Sequence, residues 1–100
     1  MEKLLKPGRP IGSKTFEPDI ACAFGAVVRE FRTERGISQE ELGNRAQIER
    51  SHMGKIERGQ HLPNLALIMK LAKALSAPPG TLVDRTGLKL GKVCTTPAAA

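Results

Sequence analysis

What most limits this chain's fold is the punctuation of its apolar pattern. Gly36, Gly59, the dipeptide Pro63-Asn64 and the dipeptide Pro78-Pro79 interrupt a sequence that otherwise repeats at helical spacing. Glycine ends helices because the residue after the last turn often takes a positive φ, and proline lacks the N–H that a helix interior needs. Each helix between these marks must therefore be short. Pro18 and Asp19 open the first one, with Asp19 as the expected N-cap. Ile20, Phe24, Val27, Val28 and Phe31 follow at steps of three and four, forming one apolar face, and Gly36 closes the helix. The tetrapeptide SQEE at 38–41 is a capping box, in which Ser38 accepts from the Glu41 N–H and the Glu41 side chain reaches back to Ser38.

The helix begun there runs to about Ala46, with Leu42 and Ala46 facing inward. After a turn holding Gln47 and Ile48, a third helix spans 50–58, with Met53 and Ile56 apolar, and Gly59 ends it. Pro63 and Asn64 start a fourth, in which Leu65, Ile68, Leu71, Ala72 and Leu75 give an amphipathic stripe through residue 76. Pro79 suits the first turn of a short fifth helix over 79–84. The pattern predicts an all-α fold of four to five short helices joined by tight turns. Composition agrees: 40% of the 100 residues are hydrophobic but only 3% aromatic, so the core must be aliphatic. Such a core suits packed helices better than a sandwich or barrel, and the length suits one domain. Three segments result: a basic extended arm at 1–17, a helical domain at 18–84 and a C-terminal segment at 85–100.

The formal net charge of +6 points to a polyanion, nucleic acid first and an acidic membrane surface second. In the arm, Lys3, Lys6, Arg9 and Lys14 outnumber Glu2 and Glu17, whereas residues 29–61 are nearly balanced. Specificity in that middle stretch must come from placement. Cys22 and Cys94 lack metal or redox spacing, so free thiols in a reducing cytoplasm are expected, with no metal and no cofactor. No apolar run is long enough to span a membrane and no secretory leader is visible. With no nucleophile–base pair and no cofactor loop, an enzyme is not expected.

The stretch FRTERGISQEELGNRAQIERSHMGKIERGQHLPNLALIMKLAKAL, which begins at Phe31, resembles the helix-turn-helix domain of lambda-repressor-like (Cro/cI, Xre-type) regulators. GISQEEL, IERG and Pro63 followed by LIMKLAKAL carry the resemblance, which continues to Val83. It implies that residues 39–46 and 50–58 cross steeply, the second helix free to enter a major groove. Leu42, Ala46, Ile48, Met53 and Ile56 would tie this pair to its neighbours, with Gly43 at a close approach that favours Ala or Gly. Arg32 and Glu57 match a family pair that bridges the first and third helices. Two positions depart from the pattern. Gln47 replaces the usual turn glycine, at a cost of about 1–2 kcal/mol if its backbone is left-handed. Glu49 replaces the usual Ser or Thr cap; its charge suits a helix N-terminus, but Glu caps poorly.

Carried over position by position, the resemblance makes Arg50, Ser51 and Lys55 base readers, with His52 near enough to touch base or backbone. Arg50 can donate two hydrogen bonds to guanine O6 and N7, worth about 1–3 kcal/mol of discrimination. Gln39, Arg58, His61 and Asn64 fall where the family touches the DNA backbone, and Asn64 suits a helix cap equally well. Glu40 and Glu49 would repel phosphate. The competing reading of residues 50–58 is a solvated polar helix face.

Within the arm, KPGRPIGSKT admits three readings. As a phosphate-binding loop it fails, because Ser13 stands where the second glycine belongs and neither a strand nor a sheet surrounds it. KPGRPIGSK resembles an AT-hook, with Arg9 in a narrow A·T minor groove and Lys6 and Lys14 on its flanks, although Pro7 and Ile11 replace usual basic residues. The third reading is a leader with no DNA contact. Together these features predict a sequence-specific transcriptional repressor of double-stranded DNA, acting as a homodimer on an inverted repeat. Its dimer contact is expected at Leu82, Val83, Leu88, Leu90 and Val93. The other class compatible with the fold is an antitoxin that binds a toxin protein through its C-terminal tail and represses its own operon.

Overall fold

The computed structural model describes residues 17–94, with side chains through residue 91. Among the described residues are five helices: α1 (Pro18–Glu34), α2 (Gln39–Ala46), α3 (Arg50–Glu57), α4 (Leu65–Ala74) and α5 (Pro79–Cys94). Lys6, Arg9 and Lys14 lie outside the described residues, as does the side chain of Val93.

Local chemistry explains most of the boundaries. α1 begins at Pro18 with Glu17 in the cap position, and no side chain caps it. The missing proline N–H is no loss in a first turn, where it would find no helical partner. Asp19 is therefore not the N-cap; it lies inside that turn, where a negative charge suits the helix dipole. Gly36 follows the helix at φ 68°, as its position predicts. Ser38 Oγ accepts from the Glu41 N–H at 3.0 Å, which is half of the capping box. The other half is replaced, since the Glu41 carboxylate accepts from Arg45 Nε at 2.8 Å. Asn64 is a true cap, its Oδ1 accepting from the Leu67 N–H at 2.9 Å. α4 stops at Ala74 and the chain turns through Ser76 at φ 56°.

α5 corrects the sequence reading: it runs ten residues beyond the expected end at 84. Packing on α1 carries it through Gly87 and Gly91. Lys89 Nζ meets Glu30 Oε2 at 2.6 Å, and the Thr86 hydroxyl donates to the Leu82 carbonyl at 2.8 Å, so a buried polar group is satisfied.

The core gathers Phe24, Val27, Val28 and Phe31 of α1 with Leu42, Met53, Ile56, Leu71, Leu75 and Leu82. Burying one such aliphatic side chain contributes about 1.5–3 kcal/mol. Leu82 is wholly buried, so it belongs to the core and not to a dimer surface. Leu65 is 70% exposed and Ile20 also reaches solvent, so neither joins the stripe that its spacing suggested. Each sits at the start of its helix, ahead of the packed turns.

Two glycines set how closely the helices approach. A Cβ at Gly25 would clash with the backbone carbonyl of Ile56 and come within 2.7 Å of that of Glu57, so α1 touches α3 backbone directly. At Gly43 a Cβ would fall 2.7 Å from the Ile48 carbonyl oxygen. That approach is tighter than the Ala-or-Gly expectation, because backbone would have to move to admit alanine.

Candidate nucleic-acid interface

The turn between α2 and α3 sets the direction of α3. Gln47 takes φ 60° and ψ 44°, the left-handed conformation usually left to glycine, at a cost of about 1–2 kcal/mol. The Ile48 N–H donates to the Gly43 carbonyl at 2.8 Å and closes the turn. Glu49 occupies the N-cap position of α3 without a side-chain cap bond, in keeping with its poor capping ability.

A charged clamp fixes α3 from its other end. Arg32 Nε donates to Glu57 Oε2 at 2.7 Å, and Arg32 Nη2 donates to Glu57 Oε1 at 3.1 Å. Arg32 Nη1 also donates to the Ile37 carbonyl at 3.0 Å. The side chains are 14% and 4% exposed, so the pair is largely removed from solvent. Gln39 joins the clamp, its Nε2 donating to Glu57 Oε1 at 3.1 Å. One carboxylate thus ties together α1, the first residue of α2 and the last of α3, while Arg32 also holds the loop after α1. Sequence reasoning found Arg32 and Glu57 but assigned Gln39 to phosphate alone. Its second amide hydrogen remains available for that contact.

Held this way, α3 buries Met53 and Ile56 completely and leaves Arg50, Ser51, Lys55 and Arg58 exposed. Gln39, Arg50, Ser51, Gly54, Lys55 and Arg58 line one shallow concavity. Among the described residues, no carboxylate lies within 4 Å of the cationic groups of Arg50, Lys55 or Arg58. Three uncompensated cations on a concave surface attract an anion, and arginine and lysine donors suit phosphates and guanine edges.

His52 is not brought into this set. It is half-buried, with its ring edge-on to that of His61 at 4.4 Å between centroids, so it braces α3 against the following loop. Burial, then His52, then Lys55 hold the His61 pKa below its ordinary value. Asn64 stands apart as the cap of α4. Gly54 lies beneath the concavity. Sequence reasoning missed a second basic hollow between α2 and α4, lined by Arg45, Gln47, Lys70 and Lys73. Among the described residues no group of three or more His, Cys, Asp or Glu gathers to hold a metal, and no helix is long and apolar enough to cross a membrane.

A short helix braced on a second short helix, with its cations turned outward, defines a helix-turn-helix protein of the DNA-binding, transcription-regulating class. The chain belongs to the helix-turn-helix domain family, whose model matches residues 23–93. It is 36% identical over 71 residues to control protein C.SmaI of Serratia marcescens, a match covering 71% of this chain and 84% of that protein. The cryptic phage CTXphi transcriptional repressor RstR of Vibrio cholerae is 33% identical over 61 residues, or 61% of this chain and 55% of that protein. Among solved structures, the restriction-modification controller protein C.AhdI from Aeromonas hydrophila matches with 44% identity and a TM-score of 0.61, covering 62% of this chain and 94% of that one.

Proposed function

We propose that this chain is a sequence-specific transcriptional repressor that binds an inverted repeat as a homodimer, with α3 in the major groove. The observation that carries the reading is the concavity of α3: Gln39, Arg50, Ser51, Lys55 and Arg58 converge there with no acidic side chain among its lining residues. Arg50 donates to guanine O6 and N7, Lys55 reaches a guanine or a phosphate, and Ser51 donates or accepts. His52, engaged with His61, is left to a marginal contact. Gln39, Arg58, His61 and Asn64 hold the phosphates on either side and fix register without reading sequence. Lys6, Arg9 and Lys14 follow the duplex into the adjacent minor groove.

One eight-residue helix contacts few base pairs, so two-fold pairing is the usual route to affinity and specificity. Val83 and Leu88 are 51% and 67% exposed, which supports their role with Leu90 and Val93 in that pairing. The likeness to the restriction-modification controller protein C.AhdI supports a role in controlling restriction–modification, and the likeness to RstR supports repression. Selection of bound duplexes from a random pool, followed by footprinting and measurement of stoichiometry, tests this. Two half-sites related by two-fold symmetry, about 10 bp apart or a multiple of that, are expected with two chains bound. A single asymmetric site bound by one chain would contradict it.

A further inference from the structure

Folding explains three of the glycines next to or within the helix-turn-helix. Gly25 and Gly43 face backbone carbonyls too close for a Cβ, and Gly59 combines φ 76° with contact on Cys22. Gly54 is different. It lies in the interior of α3 with ordinary helical φ, where alanine would favour the helix. A Cβ there would meet Arg58 Nη1 at 2.8 Å, Gln39 Oε1 at 3.4 Å and Arg58 Cζ at 3.6 Å, and no backbone atom among its nearest neighbours. These are the ends of flexible side chains, which could give way. The fold itself does not need glycine at this position.

What glycine supplies is a seat for the Arg58 guanidinium. That group lies against α3 at Gly54, covers it, and is held from beyond the helix by Gln60, whose Oε1 accepts from Nη2 at 3.3 Å. Beside it stands Gln39, itself fixed by Glu57. We infer that Gly54 is a positioning residue for DNA: by leaving out a side chain it sets the Arg58 charge inside the concavity, next to Gln39, before DNA arrives. A Cβ at this position would displace the guanidinium from the concavity, and the phosphate contact it makes there would be lost with it. The inference rests on the DNA-binding reading and adds to it the reason for a helix-weakening residue at the centre of the interface.

The test uses the full chain as wild type, Gly54→Ala, Arg58→Ala and the double variant, each titrated with a short random-sequence duplex over a salt series and melted thermally. Gly54→Ala should melt at or above the wild-type temperature. It should nonetheless bind more weakly, its slope of log affinity against log salt shallower by about 0.9, the value for one phosphate contact. Arg58→Ala should lose the same amount, and the double variant no more than Arg58→Ala alone. A wild-type slope in Gly54→Ala would overturn the inference, as would unfolding of that variant. A further loss when Gly54→Ala is added to Arg58→Ala would overturn it too, since glycine would then be serving direct approach of the duplex. Failure of the wild-type chain to bind any duplex would instead remove the functional reading beneath it.

Discussion

Arg50 stands in the first turn of α3, exposed, in the proposed reading position. Replacing it with alanine should cost about 1–3 kcal/mol of discrimination at one base pair and leave non-specific binding mostly intact. Competition between the selected operator and its single-base-pair variants measures this; equal loss on every sequence would contradict the role. His61 adds a dependence on pH. Its pKa lies below 6.5 because of burial, then His52, then Lys55, so the folded chain binds fewer protons at this site than the unfolded chain. This group therefore favours the folded state most above the ordinary value, and that contribution is lost as pH falls through 6.5 and below. A phosphate beside His61 would favour the imidazolium, so DNA affinity should weaken as pH rises through the interval between the free and bound titration points. In His52→Gln, NMR titration of the imidazole should show His61 moving part of the way back up, since burial and Lys55 remain. At this scale the sequence was legible where the chemistry is local. The Ser38 and Asn64 caps follow from residues within three positions, and the positive φ of Gly36 and Gly59 follows from residue type. Gly54, the exposure of Leu65 and the turn at Ser76 depend on distant neighbours and left little local signal.

Among the elements, α3 is placed by contacts at both ends and along its back. The left-handed turn at Gln47 precedes it, the Arg32–Glu57–Gln39 clamp holds its last turn, and Gly25 lets α1 lie against its carbonyls. Gly25→Ala should force those backbones apart and destabilise the fold by about 1–3 kcal/mol in urea denaturation. An unchanged denaturation midpoint would show that α1 and α3 are not in backbone contact. The first four helices were readable because each carries its own start and stop. The true length of α5 was not, because Gly80, Gly87 and Gly91 look like interruptions until α1 is present to pack against. That same length changes the proposed pairing surface. Leu82 turns into the core, while Val83 and Leu88 stay outside on a continuous helix.

For the whole molecule, the proposed arrangement divides the work between two faces. One holds the cations of α3. The other holds Val83 and Leu88, near an apolar groove formed by Ile20, Leu62, Pro63, Ile68 and Val83. Leu88→Glu should shift the chain toward monomer in sedimentation equilibrium and lower operator affinity by raising the concentration at which paired chains form. A monomeric wild-type chain, or a variant that pairs unchanged, would move the dimer contact elsewhere. The placement of α3 in the major groove is tested most directly by methylation interference on the selected operator. Methylation at guanine N7 marks the major groove, and methylation at adenine N3 marks the minor groove. Guanine N7 methylation inside each half-site should block the wild-type chain, and Arg50→Ala should become insensitive at one of those guanines. Interference confined to adenine N3, or a guanine pattern unaltered by Arg50→Ala, would mean that α3 does not read the major groove through Arg50.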